Sequence, residues 1–384
     1  MKSERLFFID AIRAFAILMM LQGHFIDTLL SPIYRVDSNL TYATWEYLRG
    51  ITAPTFFTIS GFIFLYLLLK SKSNGQDRYR IKKGFNRSVL LIVMGYALRM
   101  DVFAWIKGDF DDYFFVIDVL QCIGFSLITV IGFYVLFKKQ IRLLSMLFLV
   151  LTIFCFLSEP LYRDLEVSNI PNFFANFLTK SNGSLFTLFP WFGYTAFGGY
   201  LATVFFNNER KTRFQSVAIA SFLIFGVLFL KYSSWFLMEL FRLTDLQILK
   251  EVAYHNHLFI RLGHVLLVFG MFYAAEPILK QSLIIKIGQK TLAIYIIHFI
   301  IIFGSFTGYG LNYFFARSLN PVQSILGAVI FMMTVCAVSL NYGKANTFLY
   351  GKLILFFNWI NRKTHQNVIN LNHQFETNPR KVPK

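Results

Sequence analysis

Charged side chains are scarce in this sequence, and no polar stretch is long enough to fold by itself. Only 15% of the 384 residues are charged, against about 25% in a typical soluble domain. Hydrophobic residues make up 56%, with phenylalanine at 47 positions, and the apolar runs recur up to residue 360. This composition excludes an ordinary soluble protein and predicts an all-α, polytopic integral membrane helical bundle.

Cysteine and the common nucleotide-binding motifs are also lacking. The three cysteines, Cys122, Cys155 and Cys336, each lie in an apolar run, and none belongs to a Cys-x-x-Cys pair or a Cys/His cluster with metal-ligand spacing. The Gly-x-Gly-x-x-Gly, P-loop and Gly-x-Ser-x-Gly patterns are absent. We therefore predict no metal and no soluble nucleotide-binding chemistry.

Apolar windows of about twenty residues, the length that crosses the hydrocarbon layer as a helix, predict about ten transmembrane helices. A further apolar piece, 346–360, is short and contains Lys352, so it is predicted to be an interfacial helix or an eleventh span. We expect one transmembrane domain over 1–361 and a disordered, cytoplasmic basic tail over 362–384. The ten windows are 7–30, 50–69, 88–106, 114–137, 143–158, 186–206, 215–231, 258–275, 291–307 and 324–341.

The distribution of basic residues predicts the orientation. With the N-terminus inside, 25 of the 37 Lys and Arg fall in the inner segments and nine in the outer loops. Since basic residues favour the cytoplasmic side, this predicts both termini in the cytoplasm of a plasma or inner membrane. The net charge of +17 is then explained by cytoplasmic segments and the lipid bilayer, and nucleic acid is not expected as a partner.

The first predicted helix carries ionisable residues on one face. The spacing of these residues places all four on one stripe of the helix: Asp10, Arg13, His24 and Asp27. Arg13 and His24 lie roughly 16 Å apart along the helix axis. A charge at mid-bilayer costs at least about 2.5 kcal/mol, so such residues are functional candidates. The alternative is that Asp10 and Arg13 neutralise each other and that His24 is a packed core histidine. Asp10 and Arg13 also interrupt the apolar stretch, which favours a retained transmembrane span over a cleaved signal peptide.

Four other predicted spans add polar groups at similar depth, and together they predict a hydrated cavity. The candidate residues beyond the first helix are Arg99, Asp118, Gln121, Arg261, His264, Tyr295 and His298. Structural ion pairs could account for some of them, and Arg99 with Asp118 is the leading candidate for a purely structural pair. Tyr295 and His298 are one helical turn apart and are expected to line the same chamber.

Neutral imidazole can take a proton from a hydroxyl or amine and release it again, which suits acyl transfer. Transfer from a thioester needs such a base, donors for the oxyanion and a site for the anionic carrier, but no metal. The basic loop residues Lys82, Lys83 and Arg87 precede the third span, where they are candidates to bind phosphates. The alternative is that they only mark the cytoplasmic side.

Several segments resemble the transmembrane acyltransferase superfamily, in particular its heparan-alpha-glucosaminide N-acetyltransferase-like branch, which is related to acyltransferase family 3. The first helix matches the Asp-x-x-Arg and Arg-x10-His pattern through Asp10, Arg13 and His24, although Ala14 stands where that branch commonly has glycine. The other similar segments, in the expected order, are Arg49-Gly-Ile-Thr-Ala-Pro54-Thr-Phe-Phe-Thr-Ile-Ser60-Gly61, Asp118-Val-Leu-Gln121-Cys-Ile-Gly124, Phe189-Pro190-Trp191-Phe-Gly-Tyr and Thr291-Leu-Ala-Ile-Tyr295-Ile-Ile-His298.

The resemblance implies an acetyltransferase that takes acetyl-CoA from the cytoplasm. It implies catalysis by His24, as base or transient acyl carrier, with Asp10 and Arg13, and an acceptor hydroxyl or amine on a carbohydrate or other cell-surface molecule. Lys82, Lys83, Arg87, Tyr295 and His298 are then candidates for binding the donor. The alternative is a proton-coupled transporter or lipid flippase that uses the same buried groups.

Overall fold

The computed structural model describes residues 6–36, 38–167, 170–279 and 282–341. The chain divides into two compact units, 1–335 and 336–384, and only 336–341 of the second unit are described. The helical bundle below belongs to the first unit. The short apolar piece 346–360 and the basic tail predicted from the sequence lie outside the described residues.

The described residues form helices and no strand; the only β-type pairings are single bridges between Leu30 and Leu319 and between Asp101 and Phe306. The all-helical class is therefore confirmed. The α-helices are α1 (Phe7–Leu29), α2 (Leu40–Arg49), α3 (Thr52–Ser73), α4 (Asp77–Ala97), α5 (Val102–Ile106), α6 (Val119–Phe137), α7 (Ile141–Leu157), α8 (Glu159–Arg163), α9 (Asn172–Ala175), α10 (Leu188–Asn208), α11 (Phe214–Thr244), α12 (Gln247–Tyr254), α13 (His257–Ala274), α14 (Ser282–Gln289), α15 (Thr291–Phe303), α16 (Leu311–Phe315) and α17 (Pro321–Asn341).

A helix overlaps each of the ten predicted windows, but ten membrane spans are not confirmed. Six helical segments of the described chain are long and apolar enough to cross a membrane, and a seventh is counted if α14 and α15, bent by 72°, act as one. Helix α4 carries a strongly basic first half, and α7 has only 17 residues. The six segments are Phe7–Leu29, Leu40–Ser73, Asp112–Phe137, Phe214–Thr244, His257–Ala274 and Pro321–Asn341.

The predicted third span, 88–106, has the wrong boundaries. Helix α4 begins at Asp77 and ends at Ala97, and Asp101 caps the separate helix α5 by accepting a hydrogen bond from the Ala104 N–H at 3.0 Å. The Asp101 side chain satisfies a backbone donor in the first turn of α5, as an N-cap does, so α5 starts as a separate helix. Arg99 therefore lies at a break, and the predicted basic loop is the helical first half of α4.

Three of the segments between the predicted windows also contain helices. The segment 31–49 includes α2, the segment 159–185 includes α8 and α9, and much of 232–257 is taken up by the end of α11 and by α12. Helix α11 has 31 residues, so it continues well past the predicted end of its span at residue 231. Window averages locate an apolar stretch, but they do not detect its helical extension into more polar sequence.

Two glycines allow α3 and α10 to pack closely at the centre of the bundle. A Cβ at Gly61 would collide with the carbonyl oxygen of Thr195, and a Cβ at Gly198 would collide with the carbonyl oxygen of Thr58. Small residues permit such backbone approach in membrane helices, where packing rather than the hydrophobic effect holds helices together. The position of α3, which lines the cavity described below, therefore depends on these two glycines.

We expect Gly61→Ala and Gly198→Ala each to destabilise the protein by about 1–3 kcal/mol, because a methyl group forces the two backbones apart. Gly132→Ala is the matched control, since Gly132 lies in α6 and an added Cβ there meets nothing within 4 Å. The measurement is thermal unfolding of the purified variants in one detergent. Equal stability of Gly61→Ala and Gly132→Ala would contradict the packing described.

Candidate active site

Helices α1 and α15 lie side by side and run in the same direction. The Arg13 Nη2 of α1 donates to the Thr291 Oγ1 of α15 at 2.8 Å. Further along both helices, the ring centroids of His24 and His298 are 5.2 Å apart. Arginine and histidine therefore each face α15, and two histidines far apart in the sequence come into contact.

The polar residues of α1 have separate neighbours. The Asp10 carboxylate lies 3.4 Å from Arg13 Nη1, which is the local pairing that the sequence left open. Asp27 forms an ion pair with Arg49 at the end of α2. The predicted stripe is thus present on one helix, but its charged members are partly neutralised by partners within the protein.

His298 is fully buried, yet neither of its ring nitrogens has a hydrogen-bond partner within the described part of the chain. Its ring is in contact with the rings of His24, Tyr295 and Phe299. Buried polar groups are nearly always hydrogen-bonded, because leaving one without a partner costs free energy. An unsatisfied imidazole against a second imidazole is therefore a candidate for function.

Arg99 and Asp118 form the predicted buried pair. The Arg99 Nη2 donates to Asp118 Oδ2 at 3.0 Å, and the two side chains are 1% and 6% exposed. Asp118 also caps α6, where its Oδ1 accepts from the Val119 N–H at 2.7 Å and the Gln121 side chain accepts from the Asp118 N–H. The charges of Asp118 and Arg49 both act on His24, which brings α6 and α2 within electrostatic range of the histidine pair.

A cavity of about 1100 Å³, its open mouth included, lies between α1, α3, α4, α6 and α15. Most of its wall is apolar, but one side carries several positive charges. We call it the basic cavity; its cationic lining residues are Arg13, Arg80, Lys83 and Arg87, and its other polar lining residues are Ser60, Thr291 and Tyr295. Three of the four positive charges come from α4 and the fourth from α1, and Tyr295 lies towards the histidines.

Of the three basic residues selected from the sequence, two line the basic cavity and one does not. Lys83 and Arg87 line the basic cavity, whereas Lys82 is exposed and is not among the lining residues. Arg80 lines it instead, and sequence reasoning missed this residue. The available signal was the spacing of Arg80, Lys83 and Arg87, which places all three on one face once this segment is recognised as helix.

A second cavity lies where α4 and α15 end. The backbones there pair, because Phe306 N–H donates to the Met100 carbonyl at 2.8 Å and Val102 N–H donates to the Phe306 carbonyl at 3.1 Å. We call it the acidic cavity; its charged lining residues are Arg99, Asp101, Asp109 and Asp111, and its other lining residues include Trp105, Tyr113, Phe299, Phe303 and Ser305.

The two histidines lie between the two cavities. Along α15, Tyr295 lines the basic cavity, His298 follows, and Phe299 lines the acidic cavity. Along α1, Met20 lines the basic cavity, and His24 one turn later contacts Phe303 of the acidic cavity at 6.0 Å between ring centroids. Neither histidine is among the lining residues of these two cavities, but the pair contacts Tyr295 of the basic cavity and Phe299 and Phe303 of the acidic cavity.

The remaining sequence candidates, Arg261 and His264, lie elsewhere. The Arg261 Nη1 donates to the Tyr47 carbonyl at 2.6 Å, and the His264 Nε2 lies 2.9 Å from the Tyr47 hydroxyl. Both residues hold α2 against α13, and neither lines either of the two cavities. Gln121 is also outside both cavities, because its side chain caps α6. Within the described ranges, no group of three or more His, Cys, Asp or Glu could hold a metal ion.

A family model described as heparan-alpha-glucosaminide N-acetyltransferase, catalytic, matches residues 5–236, which is more than half of the chain. The chain belongs to this family. A search of curated proteins gives no match. Membership of the heparan-alpha-glucosaminide N-acetyltransferase family indicates a membrane acetyltransferase and confirms the resemblance found in the sequence.

The family match covers only part of the candidate site. It includes α1 to α10, and with them His24, Arg13, the basic face of α4 and the pair of Arg99 with Asp118. Helix α15, which carries Tyr295 and His298, lies beyond the match. In this member of the acetyltransferase family, the candidate site therefore includes a helix that the family comparison does not reach.

We expect Asp118→Ala to destabilise the protein by about 3–5 kcal/mol, because it leaves the Arg99 guanidinium buried without its counter-ion and removes the cap of α6. Asp112→Ala is the matched control, since Asp112 is exposed and is expected to change stability by less than about 0.5 kcal/mol. Thermal unfolding in detergent measures both. A stable Asp118→Ala variant would show that the pair does not hold α4 and α6 together.

Proposed function

We propose that the protein moves an acetyl group from acetyl-CoA, bound in the basic cavity, to a hydroxyl or amine of a carbohydrate or other cell-surface acceptor on the opposite side of the histidine pair. The family supports the acetyl transfer. The observation that carries the proposal is the position of His24 and His298 between a basic and an acidic cavity. A group-transfer site needs two substrates to approach one catalytic group from different directions.

The basic cavity fits the chemistry of the donor. Arg80, Lys83 and Arg87 present cationic groups on one face of α4, where the phosphates of coenzyme A would bind through charge-assisted hydrogen bonds. The apolar walls, which include Ile59, Leu120 and Ile123, suit the thin pantetheine arm. Beyond them the cavity reaches Met20 and Tyr295, each of which adjoins one of the two histidines.

In the proposed reaction at the histidine pair, His24 is the catalytic base. The acceptor oxygen or nitrogen attacks the thioester carbonyl while His24 takes the proton from the acceptor. The carbon–sulfur bond then breaks, coenzyme A leaves as the thiolate, and the thiolate receives the proton from His24. The alternative route has His24 attack the thioester first and carry the acetyl group on its ring nitrogen before the acceptor takes it.

The sidedness follows from the charge distribution. The basic residues of the segment 70–87 favour the cytoplasmic side of a plasma or inner membrane, with both termini cytoplasmic. The basic cavity then opens to the cytoplasm, where acetyl-CoA is found. The acidic cavity, at the other end of α4, faces the outside.

We expect His24→Ala to abolish acetyl transfer, because general-base catalysis contributes about 10²–10⁴-fold and a carrier role would be lost entirely. His255→Ala is the matched control, since His255 is exposed at the end of α12. The assay supplies labelled acetyl-CoA to membranes that contain the native acceptor. Transfer by His24→Ala at the control rate would reject the role of His24.

The two routes are separated by omitting the acceptor. Labelled acetyl-CoA alone leaves the label on the protein and releases one equivalent of coenzyme A if His24 carries the acetyl group. The direct route gives neither, and the variant His24→Ala reports the background.

For the donor site, we expect the double variant Lys83→Gln with Arg87→Gln to raise the KM for acetyl-CoA at least about tenfold, because hydrogen bonds to charged groups contribute about 1.5–3 kcal/mol each. Lys82→Gln is the control, since it removes one positive charge from the same helix at a position outside the cavity. An equal rise of KM for the control would mean that net charge, rather than this cavity, attracts the donor.

A further inference from the structure

The basic cavity has an open end and a closed end. Lys83 and Arg87, which line it, are exposed side chains of α4. Met20 of α1 and Tyr295 of α15 also line it, but they are only 6% and 4% exposed. The cavity is therefore open at its cationic mouth and narrow where these two buried residues meet it.

Met20 and Tyr295 stand between the basic cavity and the histidine pair. Helices α1 and α15 run in the same direction, and the rings of His24 and His298 are in contact. Met20 precedes His24 by about one turn of α1, and neither histidine lines the cavity. Tyr295 likewise precedes His298 by about one turn of α15. A thioester that approaches His24 from this cavity must therefore place its acyl group beside Met20 and Tyr295.

The charges determine which end of a coenzyme A thioester reaches this level. Helices α4 and α15 end side by side, since the Phe306 N–H donates to the Met100 carbonyl at 2.8 Å. The lining cations of α4 end at Arg87, so they lie on the side of the cavity away from the histidines. The lining of α4 continues from Arg80 to the apolar Leu91, roughly 16 Å of helix. Phosphates bound at the cations therefore leave the acyl group at the narrow end.

Building on the proposed function, we propose that Met20 determines the length of the acyl group that the enzyme transfers. Its side chain occupies the space that carbons beyond the acetyl methyl would enter, so the site accepts acetyl and excludes longer chains. Tyr295 bounds the same space from α15, where its ring packs against the rings of His298 and Phe299. One methylene group in a hydrophobic pocket changes kcat/KM by about 10–200-fold, which is enough to separate acetyl from propionyl.

The test is equilibrium binding of acetyl-CoA, propionyl-CoA and butyryl-CoA to the full-length protein in lipid nanodiscs, without acceptor. We expect the wild type to bind acetyl-CoA at least about tenfold more tightly than butyryl-CoA. Met20→Ala removes the obstruction, so it is expected to bind butyryl-CoA about as tightly as acetyl-CoA. Met19→Ala is the matched control and keeps the wild-type preference, because Met19 is the neighbouring methionine of α1 and does not line the cavity. Equal binding of the three thioesters by the wild type, or an unchanged preference in Met20→Ala, would overturn the proposal.

A second variant keeps the proposal testable if Met20→Ala does not fold. Met20→Val removes less volume, so we expect it to bind propionyl-CoA about as tightly as acetyl-CoA while still rejecting butyryl-CoA. Leu292→Ala widens the cavity beside Thr291 instead, and it is expected to change the binding of all three thioesters by the same factor. Loss of the length preference in Leu292→Ala, or its full retention in Met20→Val, would overturn the role of Met20.

Transfer to the native acceptor in membranes, with the same three donors, separates this inference from the proposed function. We expect Met20→Ala to raise the rates of propionyl and butyryl transfer, relative to acetyl transfer, at least about tenfold over the wild type. Acetyl transfer with an unchanged length preference would overturn the inference alone. Length-dependent binding without any transfer would reject the proposed function alone, and the absence of thioester binding would reject both.

Discussion

The buried carboxylate of Asp118 holds the centre of this structure together. It caps α6, neutralises Arg99 at the end of α4, and acts electrostatically on His24 of α1. Burying one carboxylate is costly, and the cost is offset only when its oxygens have partners of good geometry. Because this one group satisfies a helix end and an arginine at once, the relative positions of α4 and α6 depend on it.

The acidic cavity exists because two helices end early inside the bundle. Helix α4 ends at Ala97, and α15 ends at Phe303 and is followed by Gly304, whose φ of +71° suits glycine. The irregular segments that follow pair with each other through Met100 and Phe306. Non-helical backbone at membrane depth is tolerated only where it is buried in protein or lines a cavity. The two helices can therefore end here because the irregular backbone that follows them lines the polar cavity.

Much of this arrangement was predictable from the sequence, because apolar length and one-sided polarity are local properties. The helical class, the polar stripe of α1 and the pairing of Arg99 with Asp118 follow from such patterns. The contact of His24 with His298 does not, since it depends on how α1 packs against α15. Nor does the choice of Arg80 over Lys82, because it requires knowing that α4 already begins at Asp77, before the predicted span.

The position of the histidine pair has a consequence for the membrane itself. Under the proposed function, the bulky nucleotide carrier stays on the cytoplasmic face and the acceptor on the other, so only a two-carbon unit passes from one to the other. Such an enzyme needs no alternating-access motion, and its paired imidazoles and aromatic neighbours would keep the electrochemical gradient from discharging through the active site.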